Sequence, residues 1–508
     1  MLKKSLQHVL LYLVLILCIG LYSCSDRPSA VNEILESTSN KSELEKVISH
    51  YKQTGDEQKL KAIYFIIRNL SYQHHFEGEG VNQYRQMFQL IKPDYTGRGL
   101  HRTWDSLKVG FGTNFPGPVH RVDDVNMLKA AYLIKHIDAA FIAWRYPWAK
   151  NLSFDDFCKY LLPYKLVNEE PDNWCSILQI KNQWLLDSID QNKDVYDACL
   201  MLNKALKRQF NFDTFPPLWD INYSNLDILK AGSCYHATQY AAYNMRAMGI
   251  PVVMDFTPFW GNRNGGHEWN ALIFNGKPIP FVGGESDPGK TKIDLSFQRK
   301  RGKVFRYSFA TQPNDVVKQS KDKVSPYLKA HNIEDVTRDY IPVTDISVTL
   351  NNIFPDAEYA YISVFNRQVW TPLYWGNINS DKKAVFRDMG RSIVYLPMYY
   401  EAGEFVPAGD PIVLESDGTA ATLHPDRQKK TNLVITQKSP EGPNVEKGKD
   451  FELFYWDDKW LSLGKKIASS NTIVFENVPQ NALYWIHSKN KSTKERIFTY
   501  KNNKLKWW

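Results

Sequence analysis

Gly232-Ser233-Cys234-Tyr235-His236, the run from there to Gly249, and Gly266-His267-Glu268-Trp269-Asn270 downstream decide how this chain is read. Small and polar residues ahead of Cys234 mark a loop turning into a helix. Behind it Ala237, Tyr240, Ala241, Met245 and Met248 recur at helical spacing on one face, and Gly249 ends the run. A thiol at a helix N-terminus meets the positive end of the macrodipole and unpaired backbone N–H groups, and both favour thiolate. Ile250–Phe256 predicts a strand, and His267 opens another that runs to Phe274. A helix-borne Cys with a His on a neighbouring strand is what a nucleophile and its base require, so Cys234 and His267 are the expected pair. His236, two residues past Cys234, points to another side of the helix and is read as structural.

These residues resemble the transglutaminase-like superfamily. The resemblance rests on Gly-x-Cys, a helix closing in Arg246-Ala247-Met248-Gly249-Ile250-Pro251, and Gly266-His267-x-Trp269-Asn270, and it spans residues 200–300. It implies a papain-like core and a Cys–His–acid triad, with Cys234 and His267 at the matching positions. Relatives carry an Asp-Pro after the His strand; here the segment is Gly283-Gly284-Glu285-Ser286-Asp287-Pro288, so Glu285 and Asp287 compete for the third place. Asn275-Gly276 predicts a tight hairpin. A two-residue loop would set Gly284 opposite His267 and turn Glu285 to the wrong face; one bulged residue at Gly283-Gly284 would bring Glu285 opposite. The bulged register is the expectation, with Glu285 orienting His267 and Asp287 as the alternative. Trp219 is a candidate for the cleft or oxyanion hole, as an indole is in some relatives, although packing is the weightier role. The backbone N–H of Cys234 is the better oxyanion donor. Residues 259–266 predict a flexible loop that lines the cleft.

The chain has 508 residues, 43% hydrophobic, 23% charged and 14% aromatic, which is globular material for several cores. Its net charge of +8 is spread thinly among Asp and Glu, with no basic stripe, so no nucleic-acid partner is expected. Lys3, Lys4 and the apolar run Val9–Ile19 form a leader too short for a comfortable membrane span. It ends in Leu21-Tyr22-Ser23-Cys24, which resembles a bacterial lipoprotein signal and implies acylation of Cys24 and anchoring at the cell envelope, at the outer membrane by preference. Cys158, Cys175 and Cys199 read as buried small hydrophobes, with a disulfide between two of them left open. His74-His75 lacks a spaced set of further ligands and is read as a surface pair rather than a metal site.

In chain order, residues 1–23 are the signal peptide and 25–195 a helical domain, with helical spacing over Glu33–Ile91, Val125–Ala143 and Trp174–Ser188 and loops around Gly97–Val119. Residues 196–330 are the transglutaminase-like core, with solvated charged stretches such as Arg299-Lys300-Arg301 near its end. Period-two patterns then predict a β-sandwich over 340–428 and a second small β domain over 430–508, in which Trp456 and Trp460 serve a core sooner than a carbohydrate platform. The expected fold class is multidomain α+β. The expected function is a cell-envelope cysteine hydrolase or acyltransferase acting on a peptide, protein or glycopeptide, with hydrolysis favoured over cross-linking. No phosphate loop, metal cluster or cofactor fingerprint is present, so no cofactor is predicted. The alternative is a surface binding protein for glycan or protein that has lost turnover.

Overall fold

A computed structural model describes residues 27–91, 98–112, 115–189, 193–212, 220–290, 299–313, 321–351, 357, 359–440, 444–488, 495–502 and 504–508. The segment expected to be a leader, Cys24 and Trp219 lie outside the described residues. The chain is a multidomain α+β protein of helices and several antiparallel sheets.

The N-terminal helices are α1 (Ser29–Ser37), α2 (Lys41–Thr54), α3 (Glu57–Arg68), α4 (Glu79–Leu90), α5 (Arg98–Gly110), α6 (Ala130–Trp144), α7 (Phe154–Tyr160), α8 (Trp174–Lys181) and α9 (Trp184–Ser188). Local chemistry sets their ends. Asp56 caps α3 by accepting from the Lys59 amide, and Ser153 caps α7 through the Asp156 amide. Gly55, at φ +68°, closes α2 in the left-handed region that other residues enter only with strain. Helix α5 occupies part of the segment expected to be loop, and a two-stranded ladder of β1 (His74–Glu77) and β2 (His120–Asp123) interrupts the helical run. That ladder corrects the surface assignment of His74-His75. His75 is fully buried; its Nδ1 lies 2.8 Å from Asp124, whose other oxygen accepts from Lys165 at 2.7 Å and Tyr164 at 2.6 Å. A buried carboxylate needs such partners, and they fix β1 against the helices.

The helices before residue 195 pack on the elements after it. One apolar cluster runs from Tyr84, Phe88 and Trp104 through Trp174 and Leu178 to Tyr240, Tyr243 and Met245. Into it feed α10 (Val195–Leu206), α11 (Tyr223–Leu229) and α12 (Cys234–Ala247), after the short parallel pair β3 (Asn211–Phe212) and β4 (Ala231–Gly232). Helix α12 is the hub. The sequence offers one apolar face, yet every residue from His236 to Ala247 is buried, because helices cover one side and a sheet the other. Each fully buried Tyr or Met side chain there stabilises the fold by roughly 1.5–3 kcal/mol.

The sheet beneath α12 is antiparallel, in the order β7-β6-β5-β8-β9, built from β5 (Val252–Thr257), β6 (His267–Phe274), β7 (Lys277–Phe281), β8 (Phe305–Tyr307) and β9 (Ile333–Asp335). The charged stretch Arg299-Lys300-Arg301 touches the sheet through a single bridge between Arg301 and Trp260, and the chain re-enters the sheet as β8 just after it. Asn275 and Gly276, at φ +50° and +73°, make a two-residue turn, and the ladder runs without a shift from Phe274↔Lys277 to Asn270↔Phe281. The expected bulge is not formed: β7 stops at Phe281, and Gly283-Gly284 are already in a turn. Packing explains the choice. A Cβ on Gly283 would lie 2.1 Å from the Ala241 Cβ of α12, so the chain dives beneath the helix there instead of continuing the ladder. Gly283→Ala is expected to cost about 1–3 kcal/mol through this overpacking, read as a lower urea midpoint. A midpoint equal to the parent's would show that the helix can move aside.

The first β domain sets β10 (Val343–Thr349) and β13 (Lys383–Gly390) against a sheet ordered β12-β11-β14-β16-β17, with β15 on the flank of β14. Those strands are β11 (Tyr359–Asn366), β12 (Val369–Asn377), β14 (Ile393–Glu401), β15 (Glu404–Pro407), β16 (Ile412–Leu414) and β17 (Ala420–Thr422). Ile362, Val364, Phe386 and Tyr395 fill the space between the sheets. The second β domain pairs β18 (Asp426–Ile435) with β21 (Ile473–Gln480) and orders β20 (Lys459–Ile467), β19 (Asp450–Asp457), β22 (Leu483–Ser488), β23 (Ile497–Lys501) and β24 (Lys504–Trp507) in a second sheet. Trp456 is buried and Trp460 half-buried in a cluster with Phe365, Leu396 and Ile497 that joins the two β domains.

Candidate active site

Cys234 is the first residue of α12, and Ser233 is its cap. The Ser233 amide donates to His236 Nδ1 at 3.2 Å, and the Ser233 hydroxyl lies 3.1 Å from the same nitrogen. This reciprocal cap fixes His236 as a structural residue, and burial lowers its imidazole to about 4. It also aims the half-buried Cys234 thiol at the opening strand turn of β6.

The group that meets the thiol is Glu268. Cys234 Sγ donates to Glu268 Oε2 at 2.9 Å. Strand alternation accounts for this. Asn270, two residues on, reaches the same helix: its Nδ2 donates to the Thr238 carbonyl at 2.9 Å, and its Oδ1 accepts from the Gly283 amide at 3.1 Å. His267 and Trp269 take the other face. Trp269 is fully buried beside Val282, Val304 and Val336, and His267 lies between Trp260 and Trp269 with ring centroids 6.2 and 6.3 Å away. Neither ring nitrogen of His267 has a hydrogen-bond partner among the described residues. Burial, with the nearby Arg299 cation, lowers its imidazole to about 4, so the ring is neutral at physiological pH.

The thiol is not the acidic one that its helix position alone suggests. Burial first, then the Glu268 carboxylate, push Cys234 up to about 12. The backbone N–H groups of Glu268 and Tyr235 act in the opposite direction and are outweighed. Burial also raises the Glu268 carboxyl. At rest the proton therefore stays on sulfur, which donates it to the carboxylate. Two further groups lie beside this pair. Tyr235 donates its hydroxyl to Asp220, and the Tyr307 phenol is raised by burial and by the closeness of Glu268, Asp220 and Cys234. Tyr307 is itself held by stacking on Phe256, centroids 4.7 Å apart.

The two carboxylates expected beside His267 are elsewhere. Glu285 is exposed in the turn after β7, and its amide donates to the Val282 carbonyl. Asp287 accepts from Asn203 at 3.1 Å and Lys207 at 2.7 Å, which ties the turn to α10; burial, the largest single cause, pushes its carboxyl up, but Lys207 and Asn203 together outweigh it and hold it below the usual range. The structure thus brings Cys234 to the strand that carries His267 and joins it to Glu268, the residue between His267 and Trp269. Glu268, Tyr307 and Asp220 were assigned nothing from sequence. Both faces of β6 are covered, so no polar–apolar alternation signals which one meets the helix.

Cys158, Cys175 and Cys199 are free and buried. Burial raises all three thiols, Cys158 and Cys175 to about 12. Iodoacetamide at neutral pH and under native conditions is expected to leave these three unmodified; fast labelling of any of them would contradict the packing. Among the described residues, no group of His, Cys, Asp and Glu is placed to hold a metal ion, and no helix is long and apolar enough to cross a membrane.

No protein-family profile matches the chain, and no curated protein matches it. Among solved structures it is similar to a protein from Cytophaga hutchinsonii named "Putative Cysteine Protease", at 18% identity and a TM-score of 0.21. That likeness covers 27% of this chain and 45% of the other, less than half the length of either.

Proposed function

We propose that this protein is a thiol-dependent acyl-transfer enzyme of the cysteine-hydrolase type, with Cys234 as nucleophile and Glu268 as its proton acceptor. The observation that carries this is the 2.9 Å Cys234–Glu268 hydrogen bond at the N-terminus of a buried helix. In the first half-reaction Sγ attacks an amide or acyl carbonyl as Glu268 removes the thiol proton. The backbone N–H of Cys234, at the start of α12, donates to the developing oxyanion. Collapse breaks the bond to the leaving amine, Glu268 returns the proton to it, and a thioester remains on Cys234. Water, deprotonated by Glu268, then attacks the thioester, releases the acid and restores the thiol. An amine in place of water would make a cross-link; hydrolysis is the favoured outcome, on a peptide or glycan-linked amide.

His267 is the second candidate base, as the resemblance to transglutaminase-like proteins implies, but Glu268 occupies the place beside sulfur. The competing function is a ligand-binding protein without turnover, which the raised thiol and the place of the His267 ring between Trp260 and Trp269 favour. Mass spectrometry of the intact protein after incubation with an activated acyl ester tests the proposal. A stoichiometric thioester on Cys234 that decays in water is expected. No adduct, or adducts scattered over lysines alone, would favour the binding protein.

The place of action is proposed from the leader: lipid on Cys24 would hold the enzyme at the envelope membrane. Cys24→Ala is then expected to move the protein from the membrane fraction to the soluble one. Retention through a high-salt wash would show that something other than acylation holds it.

A further inference from the structure

The loop that delivers β6 to Cys234 is rich in Gly and Asn, yet it is not loose. Within it the Trp260 amide donates to the Gly265 carbonyl at 2.9 Å. Lys300 adds two more holds, its carbonyl accepting from the Gly261 amide at 2.7 Å and its amide donating to Asn262 Oδ1 at 2.8 Å, and the β domains supply further ones. Asn366, the last residue of β11, accepts from the Gly265 amide at 3.0 Å and donates to the Arg263 and Gly265 carbonyls at 3.2 Å each. The neighbouring Arg367 amide donates to Asn264 Oδ1 at 2.8 Å. Arg496, just ahead of β23, is 2% exposed and donates to the Gly261 carbonyl at 2.9 Å, to the Asn264 side chain at 3.4 Å, and to the Phe365 and Trp508 backbone oxygens. Gly261 touches β14 so closely that a Cβ there would lie 2.4 Å from Ile393 Cδ1.

We propose that Asn366 and Arg496 are positioning residues, supplied by the two β domains, that fix the start of β6 and with it the distance between Glu268 and Cys234. Two features distinguish this from ordinary domain packing. Asn366 is 2% exposed and spends one acceptor and two donors on a single loop two residues from Glu268. Arg496 is a buried cation whose burial lowers its guanidinium to about 9, and a shift of the loop would strip two of its acceptors. The loop therefore has one seat. A displacement of about 1 Å at its end, passed two residues along a strand, is enough to break a 2.9 Å contact and to cost about 100-fold in rate. This inference rests on the proposed role of the Cys234–Glu268 pair, but its test does not require turnover.

The experiment measures iodoacetamide alkylation of Cys234 against pH in the full chain, mapped by mass spectrometry, for the parent, Asn366→Ala, Asn366→Asp and Arg496→Lys. Loss of the Glu268 contact removes one cause of the raised thiol. The expected result is a lower pH midpoint and alkylation at least about tenfold faster at pH 8, the equivalent of one unit in the thiol pKa, with Cys158, Cys175 and Cys199 still unmodified. Asn366→Asp keeps the size and the acceptor and loses both donors, so it decides the question if Asn366→Ala exposes the other thiols and is unfolded. An unchanged Cys234 midpoint in folded Asn366→Asp and Arg496→Lys overturns the proposal. Because the readout is the thiol and not a product, a failure of the acyl-transfer reading appears separately, as a parent protein that forms no thioester.

Discussion

Glu268→Gln is expected to lower acyl transfer by about 10²–10⁴-fold while making the Cys234 thiol easier to alkylate. The two effects have opposite signs for one reason. The carboxylate is the acceptor for the thiol proton during attack, and at rest its charge is one of the causes holding the thiol near 12. A glutamine keeps the shape and removes both the basicity and the charge. Turnover should fall at every pH, whereas the midpoint of the iodoacetamide profile should move to lower pH. In the parent, activity should rise as the pH climbs through the raised carboxyl pKa of Glu268, since only the ionised form can accept the proton. His267→Gln, made in parallel, separates the two candidate bases. If His267→Gln abolishes turnover and Glu268→Gln leaves it intact, the assignment of Glu268 is wrong. If both variants keep parental turnover, the general-base step proposed at this site is wrong.

The second large effect is on stability. Asp255 is fully buried in β5 and accepts two hydrogen bonds from Arg306 of β8, each 2.8 Å, and a third from the Tyr340 hydroxyl. Burial works against the Arg306 guanidinium, but the Asp255 carboxylate outweighs it and holds the cation firmly charged. Asp255→Ala leaves that cation in an apolar site without its partner, and the expected cost is about 3–5 kcal/mol. Urea unfolding followed by Trp fluorescence measures it. The double variant Asp255→Ala/Arg306→Met should lose less than the single change, because no charge is then left unpaired. Equal losses in the single and double variants would show that the penalty comes from the cavity and not from the charge.

Much of the chain was readable because local rules and tertiary demands agree. The β-domain stretches Asp345–Leu350, Tyr359–Phe365 and Phe451–Trp456 carry period-two patterns, and they fall in β10, which ends one residue before Leu350, in β11 and in β19. Helix α12 was legible over its length because a loop ahead of Cys234, an apolar spacing from Ala237 to Met248 and Gly249 behind it coincide. Strands β8 and β9 were missed because charged neighbours and short length hide them; they are strands because β5 offers an open edge. Helix α5 was missed for a similar reason, its Gly residues outweighing its amphipathic pattern.

By itself the sequence determined that Cys234 stands at the start of a helix, that the segment from His267 to Asn270 runs in a strand beside it, and that the hairpin turns at Asn275-Gly276. These depend on neighbours within a few residues, where propensity and capping act. Only the tertiary structure decided which side of β6 meets the helix, and hence that Glu268 rather than His267 stands 2.9 Å from sulfur. It also decided that Gly283 slides under Ala241 instead of extending the ladder to Glu285. A strand covered on both faces has no polar side to reveal its orientation, so its parity is set by what packs on it.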